Sequence, residues 1–221
     1  MEVYGKGRVI VFSFGAGSSG IPLEWGALEN KAGVNLLPDL SFKTIQSIAE
    51  KVRAVKRERD IVVASIHWGR NWGYEVSSGQ ISFAHGLIEE AGVDLIHGHS
   101  SHHVKQIEVF RGKLILYGCS DFLNDYEGIS GYEAYRGDLT LMYFVRLDPP
   151  TGKLAQLWMA PMQIKHFRLN RASEADALWL KEVLNREGEK FGTRVRSDEE
   201  GALRLTWGKK QSPLPENEKT L

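Results

Sequence analysis

Short apolar runs alternate along the first hundred residues with segments of helical spacing. Runs bounded by polar residues or glycine predict buried strands over 8–14, 61–66 and 93–96. Between them, apolar residues recur every three or four positions from Leu40 to Arg59, behind Asp39 or Ser41 as N-cap, and again around Phe83. Strands that alternate with helices predict an α/β fold with a parallel sheet and right-handed crossovers.

After His99 the pattern changes to that of antiparallel strands. A two-residue turn at Arg111-Gly112 separates two apolar runs, and Ser173 is positioned to cap a late helix. The further strands that the pattern predicts are 106–110, 113–117, 139–147, 154–159, 163–169 and a weak hairpin ending near Trp207. We therefore expect one domain over residues 1–208 and a polar tail over 209–221.

Composition excludes several classes of function. The 221 residues are 42% hydrophobic, and 28 basic side chains balance 28 acidic ones, so no net field attracts nucleic acid. No apolar run approaches the roughly twenty residues that span a bilayer. The single cysteine, Cys119, favours a reducing compartment. The sequence as written predicts a cytoplasmic protein, or an envelope-associated one if a segment precedes it.

Histidine placement points to a metal site. Five of the seven histidines follow two predicted strands: His67 comes after Ile66, and the others come after Ile96. The carboxyl ends of neighbouring parallel strands meet at one edge of a sheet, where α/β proteins hold ligands. Imidazole is a common ligand of zinc, iron and manganese. A histidine that only makes hydrogen bonds in a loop is the alternative for each residue taken singly.

Three segments resemble the motifs of a known family. They are Ser65-Ile-His-Trp-Gly69, Gly98-His-Ser-Ser-His102, and Tyr117-Gly-Cys-Ser-Asp-Phe122. In this order and spacing they are similar to the C-terminal motifs of the poly-gamma-glutamate capsule-biosynthesis (CapA-like) proteins, a branch of the calcineurin-like metallophosphoesterases. The resemblance implies a calcineurin-like layered sandwich of α and β elements, of which this sequence lacks the N-terminal part.

The resemblance also implies a function in capsule or cell-envelope polymer biosynthesis. A divalent metal (Mn, Fe or Zn) would be held by His67, His99 and His102, with His99 and Asp121 catalytic, and would activate water against a phosphate ester or acyl bond. The substrate is then a small molecule or a polymer such as poly-gamma-glutamate. The alternative is a non-catalytic or truncated member that binds polymer.

The family's N-terminal ligands are missing. An Asp-x-His, a bridging aspartate in a Gly-Asp motif and an asparagine in an Asn-His motif do not occur before His67. We therefore expect this chain alone to bind metal weakly or not at all. The run Val9–Phe14 is apolar on both faces and has no earlier strand to flank it, so we also expect self-association as a homo-oligomer.

The remaining candidates lie in loops. Each has a structural alternative, such as the carboxylates in 121–127 that simply favour loops, or the pairing of Arg136 with Asp138 or Glu133. The expected substrate-binding residues are Trp68, Asn71, Trp72, His103, Asp125, Glu127 and Arg136. Residues 15–20 match G-x-G-x-x-G after a strand, but Pro22 interrupts the helix that a nucleotide site needs. We interpret them as a loop over the sheet edge.

Overall fold

A computed structural model describes residues 1–126 and 128–208, and they form two β-sheets and three α-helices. The first sheet has seven strands in the order β1-β2-β4-β5-β7-β6, with β3 beside β2. Its strands are β1 (Glu2–Val3), β2 (Gly7–Ala16), β3 (Leu36–Leu37), β4 (Ile61–His67), β5 (Leu95–His99), β6 (Ile107–Phe110) and β7 (Lys113–Leu116). Strands β2, β3, β4, β5 and β7 are parallel, which confirms the predicted α/β sheet.

Helices α1 (Phe42–Val55) and α2 (Ser78–Glu89) cover one face of this sheet. The hydroxyl of Ser41 accepts a hydrogen bond from the Thr44 amide and caps α1, so Ser41 and not Asp39 is the N-cap. The apolar sides of the two helices pack against the side chains that alternate residues of the strands direct toward them. Val62, Ala64 and Ile66 of β4 are fully buried there. The helices thereby leave the opposite sheet face for the second layer.

The second sheet has five antiparallel strands. It comprises β8 (Leu139–Leu147), β9 (Leu154–Lys165), β10 (Arg168–Arg171), β11 (Thr193–Ser197) and β12 (Leu203–Trp207). Helix α3 (Glu174–Gly188) begins after Ser173, as predicted. The prediction of two separate strands over 154–159 and 163–169 is wrong, since one strand covers 154–165 and the next begins at Arg168. Strand β9 runs through Ala160-Pro161-Met162 without a break, because one side of it pairs with β8 along that whole length.

A second core joins the two sheets. Leu95, Leu114 and Leu116 of the first sheet pack against the apolar faces of β8, β9 and α3. This core covers β5 and β7 but extends less far over β2, where Val11 is 57% exposed. The sheet face around β2 is therefore more open than the face around β5 and β7.

The predicted hairpin over 106–117 and the final hairpin near Trp207 are confirmed. The predicted tail, 209–221, lies outside the described residues. Within the described part of the chain, no helix combines the length and hydropathy needed to cross a membrane.

Candidate functional site

The histidines of β4 and β5 lie on the sheet face opposite the helices. Residues two apart in a strand share a face, and Ile66 and Ile96 point to the helix side, so their neighbours point the other way. The register pairs Ser65 with His97 and His67 with His99 across the two strands. The sequence had predicted that strand β5 ends at Ile96; it instead runs to His99, so His97 and His99 are strand residues and not loop residues.

These four side chains form a connected polar row. The Ser65 hydroxyl lies 3.1 Å from Nδ1 of His97 and 3.3 Å from Nε2 of His99. Nδ1 of His99 lies 3.1 Å from Nδ1 of His67. Ser65 was not among the predicted site residues, although its position two residues before His67 in a strand was a signal that it shares the histidine face.

Burial keeps these imidazoles neutral at neutral pH. The pKa of His99 is lowered to about 4, mainly by desolvation and to a smaller extent by electrostatic repulsion from His97 and His67. Desolvation also lowers the pKa of His97 and, together with the charge of His102, the pKa of His67. A neutral imidazole offers a lone pair, which is the form that binds a metal ion or accepts a proton.

His102 belongs to a second cluster beside this row. Its Nδ1 lies 2.9 Å from Oδ2 of Asp121, and its Nε2 lies 3.1 Å from the side-chain amide of Asn71. Tyr126 donates to the same Asp121 oxygen at 2.8 Å, and the Asn124 amide lies 3.3 Å from it. Tyr126 and Asn124 were not predicted, because only the folded loop brings them to Asp121.

The loop after β4 connects the two clusters. The His102 amide donates to the Asn71 carbonyl at 3.0 Å, and the Trp68 amide donates to the His99 carbonyl at 3.0 Å. The charge of His102 is close enough to depress the pKa of His67. Among the described residues, no hydrogen bond or ring contact joins His102 to His67 or His99. The structure therefore brings His67 and His99 together as a pair, with His102 in a neighbouring cluster.

Two predicted substrate-binding residues lie in the core instead of at the surface. Trp68 is 2% exposed, and its indole donates to the Tyr117 carbonyl at 3.2 Å. His103 is fully buried, and its ring packs 4.8 Å from Tyr74 and 4.9 Å from Tyr135. Both side chains are enclosed by the protein in this structure, which does not favour the expected contact with substrate.

Trp72 and Asn71 do lie at the site. The Trp72 ring stacks on Tyr132 at 4.4 Å and lies 5.4 Å from the His102 ring. A groove of about 480 Å³ borders Trp72 and Tyr132 beside the His102 cluster. Tyr132 was not predicted, since the stacking joins segments sixty residues apart.

Arg136 borders the same groove, but its guanidinium is already paired. Nε lies 2.8 Å from Asp138 and Nη2 lies 2.7 Å from Asp176. The alternative stated from the sequence, pairing with Asp138, is thus observed, and Arg136 has little capacity left for a substrate anion. Asp125 is exposed near Tyr126. Glu127 lies outside the described residues.

The glycine-rich segment after β2 covers the His67 end of the sheet. The Ser18 hydroxyl accepts from the Gly69 amide at 3.1 Å, and the Ser19 hydroxyl donates to the His67 carbonyl at 3.2 Å. A short 3-10 helix, Gly17–Ser19, occupies the place where a dinucleotide site would begin an α-helix. Cys119, next to the site, is buried, and burial raises the pKa of its thiol to about 12, which excludes a thiolate at neutral pH.

The donor set matches a metal only in part. Two nitrogens bound to one ion at 2.0–2.1 Å each lie roughly 3.3 Å apart in tetrahedral geometry, close to the separation between His67 and His99. Within residues 1–126 and 128–208, however, no three His, Cys, Asp or Glu side chains are grouped so that they hold an ion. The described residues therefore do not make a complete metal site.

The comparison with protein families decides the relationship. The model of the bacterial capsule synthesis protein family, PGA_cap, matches residues 1–126, which include β1 to β7 and both clusters. The chain belongs to this capsule synthesis family. The PGA_cap family has a metallophosphoesterase-like fold, in agreement with the two layers of sheet seen here.

Named relatives agree with the family. The "Probable polyglutamine synthesis accessory protein" of Mycobacterium tuberculosis is 47% identical over 189 residues, which are 85% of this chain and 50% of the relative. The "PGA biosynthesis protein CapA" of Bacillus subtilis is 30% identical over 95 residues, 43% of this chain and 24% of the relative. The chain thus spans about half the length, or less, of the curated relatives it matches.

Proposed function

We propose that this PGA_cap protein acts on a glutamate polymer of the capsule or cell envelope as a hydrolase-type enzyme. The observation that supports this most directly is the His102–Asp121 pair beside the buried histidine row, within the segment that the family model matches. The polymer is taken from the name of the Bacillus subtilis relative, a PGA biosynthesis protein, whereas the name of the Mycobacterium tuberculosis relative gives polyglutamine. The polar clusters supply the chemistry.

His102 is suited to move the proton in this reaction. When Asp121 accepts the Nδ1–H, Nε2 keeps a lone pair, which faces the Asn71 amide in this structure. Displacement of that amide by water would let Nε2 take the proton of the attacking water as a new bond forms to the scissile carbon or phosphorus. Asp121 would stabilise the resulting imidazolium, which then returns the proton to the leaving oxygen or nitrogen.

A divalent metal (Mn, Fe or Zn) is part of the proposal only as far as His67 and His99 support it. They offer two facing nitrogens, and the described residues lack further ligands, so no step above is routed through an ion. If an ion is used, His67 and His99 would hold it together with ligands that this structure does not group beside them.

The second candidate is a member that binds or positions polymer without cleaving it. It is favoured by the incomplete ligand set. Hydrolysis of a glutamate polymer and of a generic phosphodiester, with and without added Mn, Fe or Zn, separates the candidates. We expect turnover that is lost in His102→Ala; binding of polymer without turnover under every metal condition would favour the second candidate.

Metal binding is measured on the same preparation. Equilibrium dialysis should show weak binding that disappears in His67→Ala and His99→Ala. Tight, stoichiometric metal in the unmodified chain would contradict the incomplete site and would direct attention to Asp121, Asp125 and Glu127 as additional ligands.

A further inference from the structure

A second polar groove lies on the helix side of the first sheet, away from the histidines. It has a volume of about 300 Å³ and runs between α1 and β3 with the residues on either side of β3. Its lining includes Phe14, Asn35 and Leu37 from the sheet and the residues before β3, and Lys43, Ile48 and Lys51 from α1. The histidine row lies on the other face of the sheet, so the groove is separate from the proposed catalytic site.

One rim of the groove carries two unpaired cations. Lys43, Ser47 and Lys51 follow one another at i, i+4 and i+8 on α1, so they form a line about 12 Å long. Both lysines are exposed, and neither makes a salt bridge with any residue that the structure describes. The Ser47 hydroxyl likewise has no hydrogen-bond partner among the described residues. This rim is therefore free to receive anionic groups.

The acidic side chain of the groove is engaged locally. Oδ1 of Asp39 accepts from the Ser41 amide at 2.9 Å and from the Thr44 hydroxyl at 2.6 Å. These hydrogen bonds, with a smaller contribution from the charge of Lys43, lower the pKa of Asp39 to about 2. The charge of Asp39 therefore persists at neutral pH and partly offsets that of Lys43, and Oδ1 is directed at α1. Two lysines against one aspartate leave the rim with an excess of one positive charge.

The floor of the groove is apolar. Leu37 and Phe14 are each 5% exposed and Ile48 is 2% exposed, so the floor is part of the helix-side core. Opposite the lysines, the Asn35 amide donates to the Ser13 carbonyl at 2.9 Å, which fixes its side chain and leaves its oxygen able to accept. A ligand that fits has carboxylates for the lysines, methylenes for the floor and an amide N–H for Asn35.

We propose that this groove binds a segment of glutamate polymer, with carboxylates on Lys43 and Lys51 and the methylene and amide groups over Phe14 and Asn35. The inference rests on the proposed function for the identity of the polymer. A free phosphate makes no favourable contact with the apolar floor. Nucleic acid needs a longer row of positive charges than two lysines in a chain of net charge zero. The groove would hold the polymer while another part is presented to the histidine side.

The test measures binding of a fluorescein-labelled glutamate decamer to the full chain by anisotropy at low and moderate salt. We expect Lys43→Gln/Lys51→Gln to bind roughly fivefold or more weakly, since exposed ion pairs contribute little singly but add up over two contacts. The matched control is Lys153→Gln/Lys165→Gln, which removes the same charge from exposed positions away from the groove. The control should bind like the unmodified chain.

A second variant tests the groove without a change in charge. Ser47→Trp places a bulky ring between the lysines at an exposed helix position, so folding should be preserved and binding weakened. Equal binding by the lysine variant and its control, or full binding by Ser47→Trp, would overturn the proposal. Equal affinity for a labelled single-stranded DNA of similar length would also overturn it, in favour of nonspecific attraction.

The outcome is separable from that of the proposed function. Groove variants should still hydrolyse a small phosphodiester, because the groove and the His102 cluster lie on different faces of the sheet. Decamer binding that the groove variants leave unchanged, with hydrolysis retained, overturns the groove alone. Absence of hydrolysis by a chain that binds the decamer through Lys43 and Lys51 overturns the hydrolase alone.

Discussion

Oδ2 of Asp121 lies 2.9 Å from Nδ1 of His102, while the other nitrogen of the ring faces the side-chain amide of Asn71. An ionised carboxylate only accepts, so this contact places the proton of a neutral ring on Nδ1. The Asn71 amide donates to Nε2 and favours the same tautomer. The position of the proton on His102 is therefore set by two residues that follow different strands.

Asp121→Asn should disturb this arrangement, because an asparagine can also donate and no longer requires a proton on Nδ1. We expect the Nδ1–H tautomer of His102 to fall from nearly full occupancy to a mixture, measured by 15N NMR of the imidazole. Turnover of the polymer or of a phosphodiester should fall by about a hundredfold, within the usual range for a lost acid–base partner.

Asp125→Asn is the matched control for this change. Asp125 lies in the same loop but is exposed, and its carboxylate has no hydrogen bond among the described residues. It should leave the tautomer of His102 unchanged. An Asp121→Asn protein with a normal tautomer would contradict the role of Asp121 in holding the ring.

Gly98 separates His97 from His99 and has no space for a side chain. A Cβ at this position would lie 2.5 Å from Nε1 of Trp68 and 2.6 Å from the Tyr117 carbonyl oxygen. Gly98→Ala must therefore displace β7 or the buried indole. We expect a loss of roughly 1–3 kcal/mol in the free energy of unfolding, as for other overpacked cores, measured by urea denaturation.

Gly17→Ala provides the comparison, since a Cβ there meets no atom within 4 Å. Its stability should match that of the unmodified chain. If Gly98→Ala were equally stable, β5 and β7 would have more freedom to separate than the structure indicates.

Much of the fold followed from local pattern. The runs over 8–14 and 61–66 predicted central parallel strands because they are apolar on both faces, and Ser173 predicted the start of α3 because its hydroxyl can cap the helix. The end of β5 was missed because His97 and His99 look like loop residues. Both residues pair with β4, and His97 also pairs with β7, and this pairing keeps them in the strand.

The site was less accessible from the sequence than the fold. His67 and His99 could be expected to meet because their strands are parallel neighbours. The engagement of Arg136 by Asp176 and the stacking of Tyr132 on Trp72 join segments forty and sixty residues apart. The periodicity of the sequence does not indicate such long-range contacts. A side chain that is expected to contact substrate can therefore already be paired with another residue of the protein, as Arg136 is with Asp176.

Asp60 should make stability depend on pH. Its carboxylate accepts from the Arg8 guanidinium and from the Arg57 amide at 2.7 Å, and these contacts hold its pKa well below the usual range. A depressed folded-state pKa means that the stabilisation is complete above the unfolded pKa of about 3.9 and is lost as pH falls toward the folded value. Asp60→Asn removes both the charge and this dependence.

We therefore expect Asp60→Asn to be less stable than the unmodified chain by a constant amount above about pH 5, with the gap narrowing below about pH 4. Urea denaturation from pH 7 down to pH 3 measures it, with Asp125→Asn as the exposed reference. A gap that widens as the pH falls would show that the Arg8 contact does not stabilise the ionised form.

Strand β2 should mediate self-association through the part of its outer side that β1 and β3 leave unpaired. On its outer side, β1 pairs only with Gly7 and Arg8 and β3 only with Gly15 and Ala16, so no strand of the described chain pairs with residues 10–14 there. Val11, in the middle of this gap, is 57% exposed. An open apolar strand edge is a template for pairing with a second chain, and a lysine on the edge is one of the ways in which proteins block such pairing. Val11→Lys should therefore raise the dissociation constant of the oligomer by roughly tenfold or more, because two valines lose their burial and two ammonium groups meet across the interface.

Light scattering over a concentration series measures this, with Leu178→Lys on α3 as the reference, since Leu178 is 51% exposed but lies on a helix that offers no strand edge. A monomer at every concentration, or equal effects of the two substitutions, would show that β2 does not pair between chains.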